Sequence, residues 1–91
     1  MTDLAKLAMP TVHLNGTGKA ELLNGYRQAM AAVRLAINTV QSTAPHGRDY
    51  YVQKDNPIQA AITEHSERLQ VLEHVFNELE TLAVHVMEQG T

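Results

Sequence analysis

From Ile58 onward, apolar residues and one histidine recur at Ile58, Ile62, His65, Leu69, Leu72, Phe76, Leu79, Ala83 and Val86, in alternating steps of 4 and 3 that never break. That spacing keeps one face of an α-helix turned toward a partner over more than four heptads, which is the seam of a coiled coil. A second seam precedes it at Leu23, Tyr26, Met30, Val33, Ile37 and Val40. At ~1.5 Å per residue, residues 18–43 and 58–89 predict helices about 39 and about 48 Å long. Two such helices in one short chain predict an all-α fold, an antiparallel helical hairpin in residues 18–91, preceded by an arm in residues 1–17.

Between the helices, residues 44–57 read APHGRDYYVQKDNP, with two prolines and a glycine beside His46, Arg48, Tyr50, Tyr51 and Lys54. Turn chemistry is mixed there with ligand chemistry, and a connection this long is more often functional than idle. Asp55 or Asn56 is expected to cap the second helix, with Pro57 at its first position, where a missing amide hydrogen costs nothing. Ahead of the first helix, Asn15 and Thr17 are the expected caps. Thr11 to Leu14 alternates polar and apolar residues as a short extended segment does, and Met1 to Met9 reads as either a turn or two of helix or disorder. The string GTGKAEL is not a phosphate loop: His13 stands where the first glycine belongs and Ala20 where a magnesium-binding hydroxyl belongs.

Charge divides the two helices. Residues 18–43 carry Lys19, Arg27 and Arg34 against Glu21, while residues 58–89 carry Arg68 against Glu64, Glu67, Glu73, Glu78, Glu80 and Glu88. Flanking the seam, Arg27 and Arg34 on the first helix face Glu73 and Glu80 on the second. One register pairs Arg27 with Glu73; a shift of one heptad pairs Arg27 with Glu80 and Arg34 with Glu73. The opposite flank is mostly apolar, with Leu22, Ala29 and Ala36 on one helix and Ala61, Val75 and Leu82, interrupted by Arg68, on the other. A hairpin greasy on its seam and on one flank does not cover itself, which predicts a homo-oligomer, a dimeric bundle or a ring, built through those residues. The competing arrangement folds the amino-terminal arm over that flank and keeps the protein monomeric.

Chemistry is sparse. None of the three helical histidines, His65, His74 and His85, has a glutamate three positions before it, and no His-x-x-x-His pair occurs, so no metal site and no cofactor are expected. His65, on the seam, reads as a half-buried residue satisfied by a neighbour. No serine is placed with a base, and the glutamates lie on a solvent face, so no catalytic residue is assigned and the chain is not expected to be an enzyme. Cysteine is absent, which removes disulfides and thiolate ligands. A formal net charge of −3 argues against a nonspecific nucleic-acid binder, and no apolar run approaches membrane-spanning length. The loop is the exception: Arg48 can grip a phosphate, Tyr50 and Tyr51 can stack on bases, with one expected buried and one exposed, and His46 can donate a hydrogen bond. Asn15, Thr17 and Lys19 are candidate contributors from a neighbouring subunit.

The pairing of HLNGT, His13 to Thr17, with APHGRDYY, Ala44 to Tyr51, followed by a heptad helix, resembles a group of small uncharacterised proteins of tailed bacteriophages and prophages. That resemblance runs from about Met9 onward and implies phage origin, with a place of action in the cytoplasm of the infected bacterial host. In size and architecture alone the chain is also similar to phage anti-defence sponges, small helical hairpins that assemble into rings and sequester nucleotide signals. Two functions are therefore expected in turn: capture of a nucleotide-type signal by the loop, or, as the alternative, a helical module that binds a host protein or serves in phage assembly without a small ligand.

Overall fold

The computed structural model describes residues 2–89; Met1, Gly90 and Thr91, the ends of the expected arm and hairpin, lie outside the described residues. The chain folds as an all-α hairpin: α1 spans Lys19–Gln41, α2 spans Ile58–Glu88, and the two pack antiparallel along their seams. No strand occurs among the described residues. The hairpin is long and narrow, 62 × 23 × 17 Å.

The core is thin. Leu23 and Ile37 of α1 and Val86 of α2 are the buried apolar side chains among the described residues, and His65 is buried with them. All four lie on the two seams, so the helix-to-helix contact is the one the periodicity dictates. The remaining seam residues are half-buried or, like Ile62, exposed. A two-helix layer leaves each seam residue open on one side, which is why a long apolar pattern yields so small a buried set.

Neither helix is capped by the side chains expected to do so. Gly18 is the N-cap of α1 and makes no side-chain bond, and Asn15 and Thr17 stay exposed in the preceding turn. For α2, Pro57 is the cap position rather than the first helical residue, again without a side-chain bond. Asp55 and Asn56 turn through positive φ, 70° and 35°, so they form the reversal that leads into the helix instead of capping it. Asx side chains tolerate that left-handed backbone better than other non-glycine residues do.

The arm is ordered and does what the competing arrangement required. Of the two alternatives for its start, the arm shows a short helical turn, a 3₁₀ turn at Leu4–Lys6 closed by Asp3 accepting from the amide of Ala5. Residues 11–13 carry no regular structure and Leu14 already lies in the turn that follows, so the expected extended segment does not pair as a strand. Four contacts tie the arm to α2: His74 Nε2 to the Thr2 carbonyl (2.9 Å), His85 Nε2 to the Pro10 carbonyl (3.2 Å), Gln89 Nε2 to the same carbonyl (3.0 Å), and the Val12 amide to Gln89 Oε1 (2.7 Å). The arm thus travels parallel to α2 toward its C-terminus and then reverses into α1. At the reversal the Gly16 amide donates to the His13 carbonyl, and a Cβ at Gly16 would meet the exposed His13 ring at 2.7 Å, so the ring would have to swing aside.

The course of the arm changes the reading of the apolar flank. Val75 and Leu82 lie between the arm's anchors on that side of α2 and are half-buried, as are Leu22, Ala29, Ala36 and Ala61. Leu4, Leu7, Pro10 and Val12 of the arm are half-buried in turn. Along the carboxy-terminal half of α2, the chain's own amino-terminal segment runs beside the flank assigned to a second subunit.

Candidate functional site

The connection between the helices forms a continuous run of turns rather than an open loop. Ser42, Thr43 and Ala44 donate their amides to the last carbonyls of α1, and a 3₁₀ turn follows at Gly47–Asp49. Tyr50 and Tyr51 both donate to the Gly47 carbonyl at 3.0 Å, and Gln53 donates to Tyr50. His46 stands at the head of the 3₁₀ turn, where its Nδ1 accepts the Arg48 amide at 3.2 Å. A neutral imidazole that accepts at Nδ1 carries its proton on Nε2, so the exposed ring edge of His46 presents a donor.

Arg48 is exposed and has no carboxylate partner: the one side-chain ion pair among the described residues is His74 with Glu78 at 3.7 Å. Its neighbour Asp49 does not pair with it either. Tyr51 is 67% exposed, as one of the pair was expected to be, whereas Tyr50 is half-buried rather than part of the core. His46, Arg48 and Tyr51, a donor, a cation and an aromatic ring, are all exposed along this hydrogen-bonded connection.

The other three candidates are elsewhere. Asn15, Thr17 and Lys19 lie at the far end of α1, whose 23 residues put about 35 Å between them and the tip. Within one chain they form no common site with Arg48. Lys19 is also engaged, its Nζ donating to the Gln89 carbonyl at 2.8 Å, which holds the amino end of α1 against the carboxy end of α2.

A groove of about 380 Å³ opens on the hairpin flank opposite the arm, between Arg34, Asn38 and Gln41 of α1 and Glu73, Phe76 and Glu80 of α2. Here the two expected registers are settled near the shifted one. Arg34 lies over the Phe76 ring, 4.3 Å from its centroid, with Glu73 and Glu80 about one turn to either side. Neither Arg34 nor Arg27 forms an ion pair with these glutamates. The guanidinium takes the aromatic face instead, a cation–π contact worth about 0.5–1 kcal/mol at an exposed site. This groove was not singled out by the sequence, since it arises only when the Arg-bearing and Glu-bearing flanks are set in register.

His65 departs from its expected role. It is 9% exposed, and its Nδ1 has no hydrogen-bond partner. An unpaired buried polar atom costs about 1–3 kcal/mol. Replacing it by leucine is expected to raise stability by roughly 1–2 kcal/mol, seen as a higher urea midpoint with an unchanged m-value. A lower midpoint would show that the ring satisfies a partner the leucine cannot replace.

Among the described residues, no group of three histidine or carboxylate side chains converges as a metal-binding set, and neither helix is long and apolar enough to cross a membrane. The chain matches no protein-family model, no curated protein and no solved structure.

Proposed function

We propose that the protein is a non-catalytic helical interaction module whose working form is a homo-oligomer. The observation that carries this reading is surface area. A compact monomer of 10.1 kDa exposes about 5,300 Å² by area–mass scaling, whereas this chain exposes 6555 Å². The excess, about 1,300 Å², exceeds the roughly 800 Å² per partner that a stable interface buries. Part of it is apolar, for Leu35, Ile62, Val71, Val84 and Met87 all remain exposed on the helices. Sedimentation velocity over a dilution series tests the proposal. A species of at least twice the chain mass that persists on dilution supports it, and a single-chain species throughout refutes it.

The tip supports a second, compatible reading, capture of a phosphorylated ligand such as a nucleotide signal. Its observation is that Arg48, without a carboxylate partner, shares one exposed connection with Tyr51 and His46. With phage origin from the resemblance above, such capture would counter host defence within the infected bacterium. Arg48→Ala is expected to leave the melting temperature within about 1 °C, because an exposed side chain without partners contributes little to stability. The same change is expected to abolish any mass gained, in native mass spectrometry, on incubation with a nucleotide extract of phage-infected cells. Retained mass gain in the variant would remove Arg48 from the site; no gain in the wild type would leave the interaction module alone.

A further inference from the structure

We infer that two copies meet through the Arg34 groove, with their hairpins aligned so that α1 of each lies on α2 of the other and both tips point the same way. This rests on the self-association proposed above and adds the face and the orientation.

Geometry selects the face. At about 100° per residue, Ile62, Glu73, Glu80, Val84 and Met87 fall within roughly 60° of arc on α2. The arm's anchors, His74, His85 and Gln89, sit about 150° away around the helix. One side of α2 is therefore already covered, and the stripe beside the groove is not. That stripe holds three of the exposed large apolar residues, Ile62, Val84 and Met87, around two unpaired glutamates, the mixture of apolar and charged positions that flanks helix–helix interfaces.

Charge selects the orientation. Two copies facing each other across this flank can be related by a two-fold axis perpendicular to the helices or parallel to them. The perpendicular axis sets α1 on α1 and α2 on α2, so Arg27 and Arg34 face their own kind and Glu73 and Glu80 do the same. The parallel axis sets α1 on α2 and preserves height along the bundle. Arg34 of one copy then stands level with Phe76 of the other, between Glu73 and Glu80, and Arg27 stands close to Glu80. Each cation reaches the glutamates it does not pair with inside its own hairpin, and like charges across an interface are avoided. The result is a four-helix bundle with antiparallel neighbours and the two His46–Arg48–Tyr51 tips side by side at one end.

The chain has no cysteine, so a single Gln53→Cys change places one spin label on each tip. Electron–electron distance measurement on the dimer is expected to give a separation far below the 62 Å length of the hairpin. Arg34→Glu is expected to weaken association roughly tenfold to hundredfold, with far-UV circular dichroism unchanged, and Glu73→Arg in the same chain is expected to restore it. A dimer indifferent to Arg34→Glu, or labels a hairpin length apart, overturns the face or the orientation while self-association stands. A monomeric wild type overturns both.

Discussion

Val86→Asp is expected to abolish the fold, with loss of helical far-UV circular dichroism at room temperature. Val86 is 0% exposed, on the seam of the last two turns of α2, and is one of three buried apolar side chains among the described residues. A carboxylate there has no partner, and its burial costs several kcal/mol whether it stays charged or takes up a proton. A domain this small holds only about 5 kcal/mol or so in reserve. The control lies two residues earlier. Val84 is 40% exposed on the open stripe, and Val84→Asp is expected to keep the helical signal while weakening association. If both variants remain folded to the same degree, Val86 is not where the hairpin closes.

Removal of residues 1–12 is expected to lower stability by about 1–3 kcal/mol and to raise binding of a hydrophobic dye. The arm contributes four half-buried side chains, Leu4, Leu7, Pro10 and Val12, and the partners of His74, His85 and Gln89. Their burial is offset in part by the entropy of ordering an exposed, irregular segment, so the net is a fraction of the gross area term. The loss uncovers Val75 and Leu82, which makes the flank available for the wrong contacts. An unchanged midpoint and no added dye binding would show that the arm lies on the helix without stabilising it.

The hairpin was legible because its cause is local and repeated. The unbroken steps on α2 and the shorter seam on α1 fix which faces meet, and the cluster of turn formers in 44–57 fixes where the chain reverses. What was not legible depends on long-range contact. The Val12 amide and Gln89 side chain meet across 77 residues of sequence, and nothing in the local pattern of 1–17 points to that partner. The caps failed for a related reason: Asp55 and Asn56 are drawn into the left-handed backbone of the reversal, and Asn15 and Thr17 lie in a turn shaped by the arm. The two flanks were both visible as stripes, apolar on one side and oppositely charged on the other. Which stripe is free for a partner follows only once the arm is placed, because an arm of about a dozen residues is enough to cover the greasier of the two along half of α2.

The candidate site was legible in part. His46, Arg48 and Tyr51 share the exposed connection because they are neighbours in sequence, whereas Lys19 is held to the carboxy end of α2 and Asn15 and Thr17 remain a helix length away. A dimer with its tips together would double the tip groups at one end, and would still leave Asn15, Thr17 and Lys19 at the other.

Small-angle X-ray scattering with in-line size exclusion tests the central claim most directly, because it returns mass and length together. A side-by-side pair of hairpins has twice the 10.1 kDa mass of the chain and a maximum dimension still close to 62 Å. A single-chain mass, or a doubled mass with a length well beyond one hairpin, would contradict it.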